Sequence, residues 1–282
     1  MNIASKIAKE STITFSGMVY GNINRYLYTA LLARWVGVEY LGIYSLANAI
    51  MLIGEVIAKM GLETGVMRFI SRLEPETDKF QIQKIIQSAL KMTGIFSIGI
   101  AILLAGFAWL LVNLFNGTPL LHTAIIVFAF TIPFNAATLV SAFATQGFKF
   151  LKYKVFTTQF LNPTVLLLAM VISYWVISKE SAIILPMAVT GVLGSITMFL
   201  ILKNVSGVKL TGVLSAPFDG KLLAYSIPLM LVTILQTFMH WMDILMLGYF
   251  TDASVVGLYH PAARTAGLLQ ALLISFIGIY AP

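Results

Sequence analysis

The sequence contains no cysteine. Disulfides, thiolate metal sites and cysteine nucleophiles are thereby excluded. Charge is scarce as well: Asp, Glu, Lys and Arg make up 10% of the chain, where a soluble domain of this length carries about 25%. Acidic residues are the scarcer sign, 11 against 18 Lys and Arg, which leaves a net charge of +7. With only three histidines, partners for a metal site are too few, so no metal and no cofactor is expected. A cleavable leader is not visible either. The first twelve residues (MNIASKIAKEST) are polar, and the apolar stretch after them is interrupted by Asn22, Asn24 and Arg25. That pattern reads as a retained first helix.

What the chain has instead is apolar length. Apolar residues make up 59% of it and its mean hydropathy is +0.91. The hydrophobicity falls into segments of about 20 residues, each able to cross about 30 Å of hydrocarbon. Eight spans follow, at about 12–33, 41–66, 90–114, 120–146, 155–177, 181–202, 222–249 and 256–281. The expected fold is all-α: a polytopic transmembrane helix bundle.

The connectors alternate in character. Asn116-Gly117-Thr118-Pro119 and Ser178-Lys179-Glu180 are short turns, while the others are longer and basic. Placing the N-terminus in the cytoplasm puts thirteen basic residues there: Lys6, Lys9, Arg68, Arg72, Lys79, Lys84, Lys91, Lys149, Lys152, Lys154, Lys203, Lys209 and Lys221. Only Arg34 and Lys179 fall on the other side. The excess of positive charge is therefore a topology signal of a multi-pass protein in the cytoplasmic membrane, not a nucleic-acid footprint.

The stretch 203–221 (KNVSGVKLTGVLSAPFDGK), with Gly207, Gly212, Pro217 and Gly220, reads as a boundary. It divides a six-helix lobe, 1–202, from the first two helices of an incomplete second lobe, 222–282. An offset of 215 residues aligns Gly42-Ile43-Tyr44 with Gly257-Leu258-Tyr259, and Ala47 with Ala262. Six helices is an even number, so a second copy enters the membrane in the same orientation. That is the parallel kind of transporter repeat. The expectation is that the last two helices meet the first lobe mainly across a cavity. A complete second lobe needs about four more helices, so the chain reads as a fragment or one part of a split protein.

Two patches carry a family resemblance. The first is WVGVEYLGIYSLANAIMLIGEVIAKMGLETGVMRFIS, with Gly37 to Tyr44, Gly61-Leu62-Glu63-Thr64 and Arg68-Phe69. The second is YSIPLMLVTILQTFMHWMDILMLGYFTDASVVGLYHPAARTA, with Pro228, Trp241, Asp243, Leu247-Gly248-Tyr249-Phe250, Gly257-Leu258-Tyr259 and Ala262-Ala263-Arg264. They resemble the second helix, and the seventh and eighth helices, of the polysaccharide-unit (O-antigen-type) flippases. These belong to the multidrug/oligosaccharidyl-lipid/polysaccharide exporter superfamily. Family members usually have twelve to fourteen helices, more than the eight read here. The resemblance implies translocation of a lipid-linked oligosaccharide of the polyprenyl pyrophosphate type, by alternating access through a cationic cavity. It also implies that H+ or Na+ is a possible coupling partner.

Charged groups inside spans cost about 2.5–3.5 kcal/mol each on insertion scales and usually face a bundle interior or a wet cavity. Arg25 lies midway along the first span, on one stripe with Thr14, Gly17, Gly21 and Tyr28. Arg264 lies in the eighth, with His260, Gly267 and Ala271 on its face. Both arginines suit a pyrophosphate by shape; the competing reading is a long side chain reaching the interface. Lys59 sits four residues from both Glu55 and Glu63. It is either a third cation for substrate or the neutralised centre of an i,i+4 ladder.

In the seventh span, Thr233, Gln236, His240 and Asp243 share a face. Asp243 either binds a coupling ion, with His240 and Gln236 as its polar neighbours, or pairs with Arg264. Pro133, Pro163, Pro186 and Pro228 each remove a helix hydrogen bond. Asn135, Thr138 and Thr145 either line a cavity or bond between helices. A cation-coupled multidrug or toxin exporter is the alternative function within the superfamily. A membrane glycosyl or acyl transferase is the alternative outside it, disfavoured because the turn from Asn113 to Leu121 carries no charge. The reading is therefore a transporter and not an enzyme.

Overall fold

The computed structural model describes the backbone over residues 3–207 and 212–280, and side chains over 10, 12–207 and 212–266. Of the residues weighed above, Lys6, Lys9, Lys209, Gly267 and Ala271 fall outside the fully described set. Among the described residues there is no strand. The helices are α1 (Ile3–Leu31), α2 (Val38–Lys59), α3 (Leu62–Ser71), α4 (Lys79–Gly106), α5 (Ala108–Leu114), α6 (Pro119–Gly147), α7 (Leu151–Val155), α8 (Asn162–Val176), α9 (Ser181–Ser206), α10 (Gly220–Phe250) and α11 (Ala253–Tyr280). Two π-helical stretches, Leu32–Val36 and Phe156–Leu161, extend α1 and join α7 to α8.

Among the described residues, α2, α4, α6, the continuous helix Leu151–Val176, α9 and α10 are long and apolar enough to cross a bilayer. α1 is long enough, but Asn22, Asn24 and Arg25 lower its hydropathy. The described side chains of α11 stop at Ala266. The chain is a multi-pass membrane protein.

α2 is the axis of the bundle. In its most apolar window 83% of the residues are buried, against 11% in α10. It packs on α4, α6, α10 and α11. α6 lies against α4 and α9, α8 against α9, and α1 against α8 and the second π-helical stretch. Small residues on α2 (Gly42, Ser45, Ala47, Ala49, Gly54 and Ala58) permit this crowding, as helix contacts in lipid require.

Three boundaries differ from the sequence reading. The second span breaks at Met60 and Gly61, both left-handed (φ 51° and 72°), so it is two helices, α2 and α3. The basic connector after it is only Arg72 to Asp78, because α4 begins at Lys79. The early turns of α4 are amphipathic, and Ile82, Ile85, Ile86 and Ala89 bury one face against α3 and α6. The 203–221 connector is shorter too: α9 continues to Ser206 and Gly207 caps it in the left-handed conformation. Asp219 caps α10 by accepting from the backbone N–H of Lys221 and Leu222, at 3.0 and 3.1 Å. The connector is tied back to α4 by Lys91 Nζ donating to the Ala216 carbonyl (2.8 Å), and by Asp219 N–H donating to Ser88 Oγ (3.0 Å).

α10 and α11 do not meet the other helices mainly across a cavity. They cross α2 and α3 backbone to backbone at two places. Near the start of α2, a methyl on Gly42 would overlap the Ala253 carbonyl oxygen, and a methyl on Gly257 would overlap that of Val38. The contact is reciprocal, and both glycines and both carbonyl residues are related by the offset of 215. Each glycine thus faces the carbonyl of the residue four before the other glycine. At the other end, Gly61 and Gly65 press on Ser226 of α10. Space opens between these two crossings.

Candidate functional site

The space between the crossings consists of two adjoining cavities of about 320 and 300 Å³ that share Trp241 and Arg264 in their walls. The larger lies among α1, α2, α6, α8 and α9. Arg25, Asn48, Asn135, Thr138, Asn162 and Thr190 supply its polar surface, and Tyr28, Tyr44, Met51 and Leu166 its apolar surface.

Arg25 is positioned by its neighbours on the helix Leu151–Val176. Its Nη1 donates to Gln159 Oε1 (3.1 Å) and its Nη2 to the Thr158 carbonyl (3.0 Å). Asn22 Oδ1 stands at 3.5 Å from Nη1. Both main acceptors lie in the π-helical stretch, and the Thr158 carbonyl is left for Arg25 there because its i+5 residue is Pro163, which has no N–H. The approach needs Gly21, because a Cβ there would sit 2.6 Å from Gln159 Oε1. Gly17 gives Val155 and Phe160 the same access. The partners are all neutral, so they orient the guanidinium without cancelling its charge.

Arg264 faces the same cavity from α11, with its Nε donating to His260 Nε2 at 3.2 Å. The two guanidiniums repel each other across the space. Among the described residues, the ion pairs are those of Lys59, with Glu55 at 3.0 Å and Glu63 at 3.8 Å. Neither cavity arginine has a carboxylate partner. Glu55 does reach the larger cavity, but it is already engaged by Lys59.

Lys59 itself lies in neither wall. Buried between two carboxylates one helical turn away on either side, it is held off the cavity by its own neighbours. Asp243 does not pair with Arg264; its Oδ2 accepts from Tyr259 Oη at 2.9 Å. Asp243, His240 and His260 line the smaller cavity together with Asn22, Tyr26 and Tyr259. Gln236 lies on an exposed part of α10 outside both walls. Thr233 bonds its own helix at the Leu229 carbonyl. The polar stripe of α10 is therefore divided, and only its last two members reach the site. Tyr28 is 1% exposed and packs on Tyr44, ring centroids 5.2 Å apart. Asn135 and Thr138 line the larger cavity, whereas Thr145 is buried and bonds the Ala142 carbonyl.

Sequence reasoning missed Thr158, Gln159, Asn162 and Thr190 as parts of the site. The visible signal was two amides, Gln159 and Asn162, in otherwise apolar helix. A regular 3.6-residue period misplaces them, because the π-helical stretch rotates the face. Pro261, inside α11 beside His260, was missed as well. Among the described residues, no three His, Asp or Glu side chains come close enough to hold a metal ion.

Compared with known families, residues 7–281 match the family described as polysaccharide biosynthesis protein. No match is found among curated proteins.

Proposed function

The chain belongs to the polysaccharide biosynthesis protein family, and from that premise we propose that it flips a lipid-linked oligosaccharide across the cytoplasmic membrane. The observation that carries this reading is the pair Arg25 and Arg264, two guanidiniums on one mid-bundle cavity, neither of them in an ion pair among the described residues. Such a site suits a polyprenyl pyrophosphate headgroup. Its two negative charges match two cations, and planar guanidiniums give charge-assisted, bidentate hydrogen bonds. A glycosyl or acyl transferase fits less well, because the charge sits inside the bundle and not at an interface.

In this proposal the N-terminus is cytoplasmic and the cavity opens alternately to the two sides. The helices after the 203–221 connector begin a second lobe related to residues 1–202 by a parallel repeat. The reciprocal Gly42–Gly257 crossing supports that relation. With the cytoplasm negative, outward movement of two negative charges gains up to about 4.6 kcal/mol per 100 mV, at about 2.3 per charge. Because the loaded cavity is neutral, that gain is realised as the empty, positive cavity returns inward. The membrane potential therefore suffices as a driving force, and a coupled H+ or Na+ at Asp243 is an addition and not a requirement.

The test is surface glycan display by cells whose own flippase is deleted, complemented with the full-length protein. Restored display that collapses when valinomycin and external K+ abolish the potential is the expected result. Restored display that ignores the potential overturns the driving force proposed here. Absence of display from a protein verified in the membrane overturns the flippase reading.

A further inference from the structure

The smaller cavity has a chemistry that the pyrophosphate does not use. It adjoins the cationic one, shares Trp241 and Arg264 with it, and is walled by Asn22, Tyr26, His240, Asp243, Tyr259 and His260. A second phosphate is a poor occupant, because Asp243 places a negative charge in the wall. A lipid tail is a poor occupant too, since five of those six residues present hydrogen-bonding groups beyond the aromatic ring of Tyr26.

We infer that this cavity, bounded by Tyr26, Asp243 and Tyr259, is the subsite for the first sugar of the transported lipid. The inference rests on the flippase reading and goes further by assigning a carbohydrate site. A sugar ring presents hydroxyls, which donate and accept at short range, and a face of C–H groups. The wall answers both. The Asp243 carboxylate accepts, the Asn22 amide and the His240 imidazole do either, and Tyr26, 40% exposed, offers a ring face.

Asp243 is held in place by Tyr259, whose Oη donates to Oδ2 at 2.9 Å and leaves the other oxygen for a ligand. Arg264 is fixed in turn by His260, and His260 is stacked on Trp241 with ring centroids 6.0 Å apart. His260 is 2% exposed and its Nδ1 has no hydrogen-bond partner, so the wall keeps a polar atom in reserve beside the site.

The arrangement also matches the connectivity of the substrate. In a polyprenyl pyrophosphoryl sugar, the first sugar is bonded directly to the distal phosphate. Of the two residues common to both cavities, Trp241 and Arg264, the cation should then be the one that holds that phosphate. Arg25, on the larger cavity only, takes the phosphate nearer the lipid. A volume of about 300 Å³ accommodates one sugar ring, and later sugars extend toward the opening.

The test is calorimetric binding to the purified full-length protein in detergent at fixed salt, with two probes: farnesyl pyrophosphate, and the same lipid bearing one N-acetylglucosamine on its pyrophosphate. The wild type should bind the glycosylated probe more tightly. Asp243→Ala and Tyr26→Ala should each lose about tenfold to hundredfold on that probe, the scale of a hydrogen bond to a charged group. Both should bind farnesyl pyrophosphate as the wild type does, which also shows that they fold. Arg25→Ala should weaken both probes alike.

If the wild type and the two variants bind both probes equally well, the sugar subsite falls while the flippase reading stands. If Asp243→Ala instead removes only a dependence of binding on Na+ or H+ concentration, the carboxylate is an ion site and the sugar subsite again falls. If the wild type binds neither probe, the flippase reading falls and the subsite with it.

Discussion

At the scale of the residue, three cations within the helices, Lys59, Arg25 and Arg264, have three fates, set by what lies within about 4 Å. Lys59 is neutralised by Glu55 and Glu63. Arg25 is oriented by neutral oxygens, and Arg264 by an imidazole nitrogen. Lys59→Met should destabilise the protein by about 3–5 kcal/mol, because two buried carboxylates lose their counter-charge. Thermal unfolding of the detergent-solubilised protein measures the loss, and the Glu55→Gln, Lys59→Met, Glu63→Gln triple variant should recover most of it. Arg25→Ala and Arg264→Ala should behave in the opposite way. Each removes an unneutralised charge, so stability holds while glycan export drops at least tenfold. The lysine variants at these positions should keep partial export, since charge survives but the planar fork does not. Wild-type export by the Arg25→Ala, Arg264→Ala double variant would refute the cationic mechanism.

At the scale of the element, the crossings of α2 with its partners decide where a cavity can exist. The Gly42–Gly257 contact brings two helix backbones together, each glycine against the other helix's carbonyl. Such contacts combine close packing with weak Cα–H···O bonds. Gly42→Ala and Gly257→Ala should each destabilise the protein by about 1–3 kcal/mol through overpacking. Because the two substitutions force the same helices apart, the double variant should lose clearly less than the sum. Strict additivity in thermal unfolding would show that the contact is not shared. The π-helical stretch Phe156–Leu161 is the second decisive element, since without its Thr158 carbonyl Arg25 has no main-chain acceptor.

At the scale of the whole molecule, the distribution of basic residues predicts which side each connector faces. Single cysteines at Lys152, Gly117 and Lys179 can be read against a silent background, because the native chain has none. A membrane-impermeant maleimide added to intact cells should label positions 117 and 179 and leave 152 unlabelled until the membrane is opened. Labelling at 152 from outside would overturn the orientation, and with it the direction in which the membrane potential acts on the cargo.

The class of the molecule was legible in one dimension, because apolar segments of membrane length and their punctuation by turns are local properties. The residues that matter were partly legible for the same reason: Arg25, Arg264 and Asp243 stand out as charges in hydrocarbon, whatever surrounds them. Their relations were legible only where they are local, as for Arg264 and His260 one helical turn apart. Sequence spacing could propose Asp243 as a partner of Arg264, but the side chains that end within reach are Tyr259 and His260. Nor could it separate the Lys59 ladder from the cavity wall, because the same spacing serves both. Pairing, burial and the division of the site into two chambers depend on how α1, α2, α10 and α11 cross, and on a helix that departs from its regular period at Phe156–Leu161. The decisive contacts, Arg25 with Thr158 and Gln159 and Gly42 with Ala253, join segments over a hundred residues apart, and only the tertiary structure brings them together.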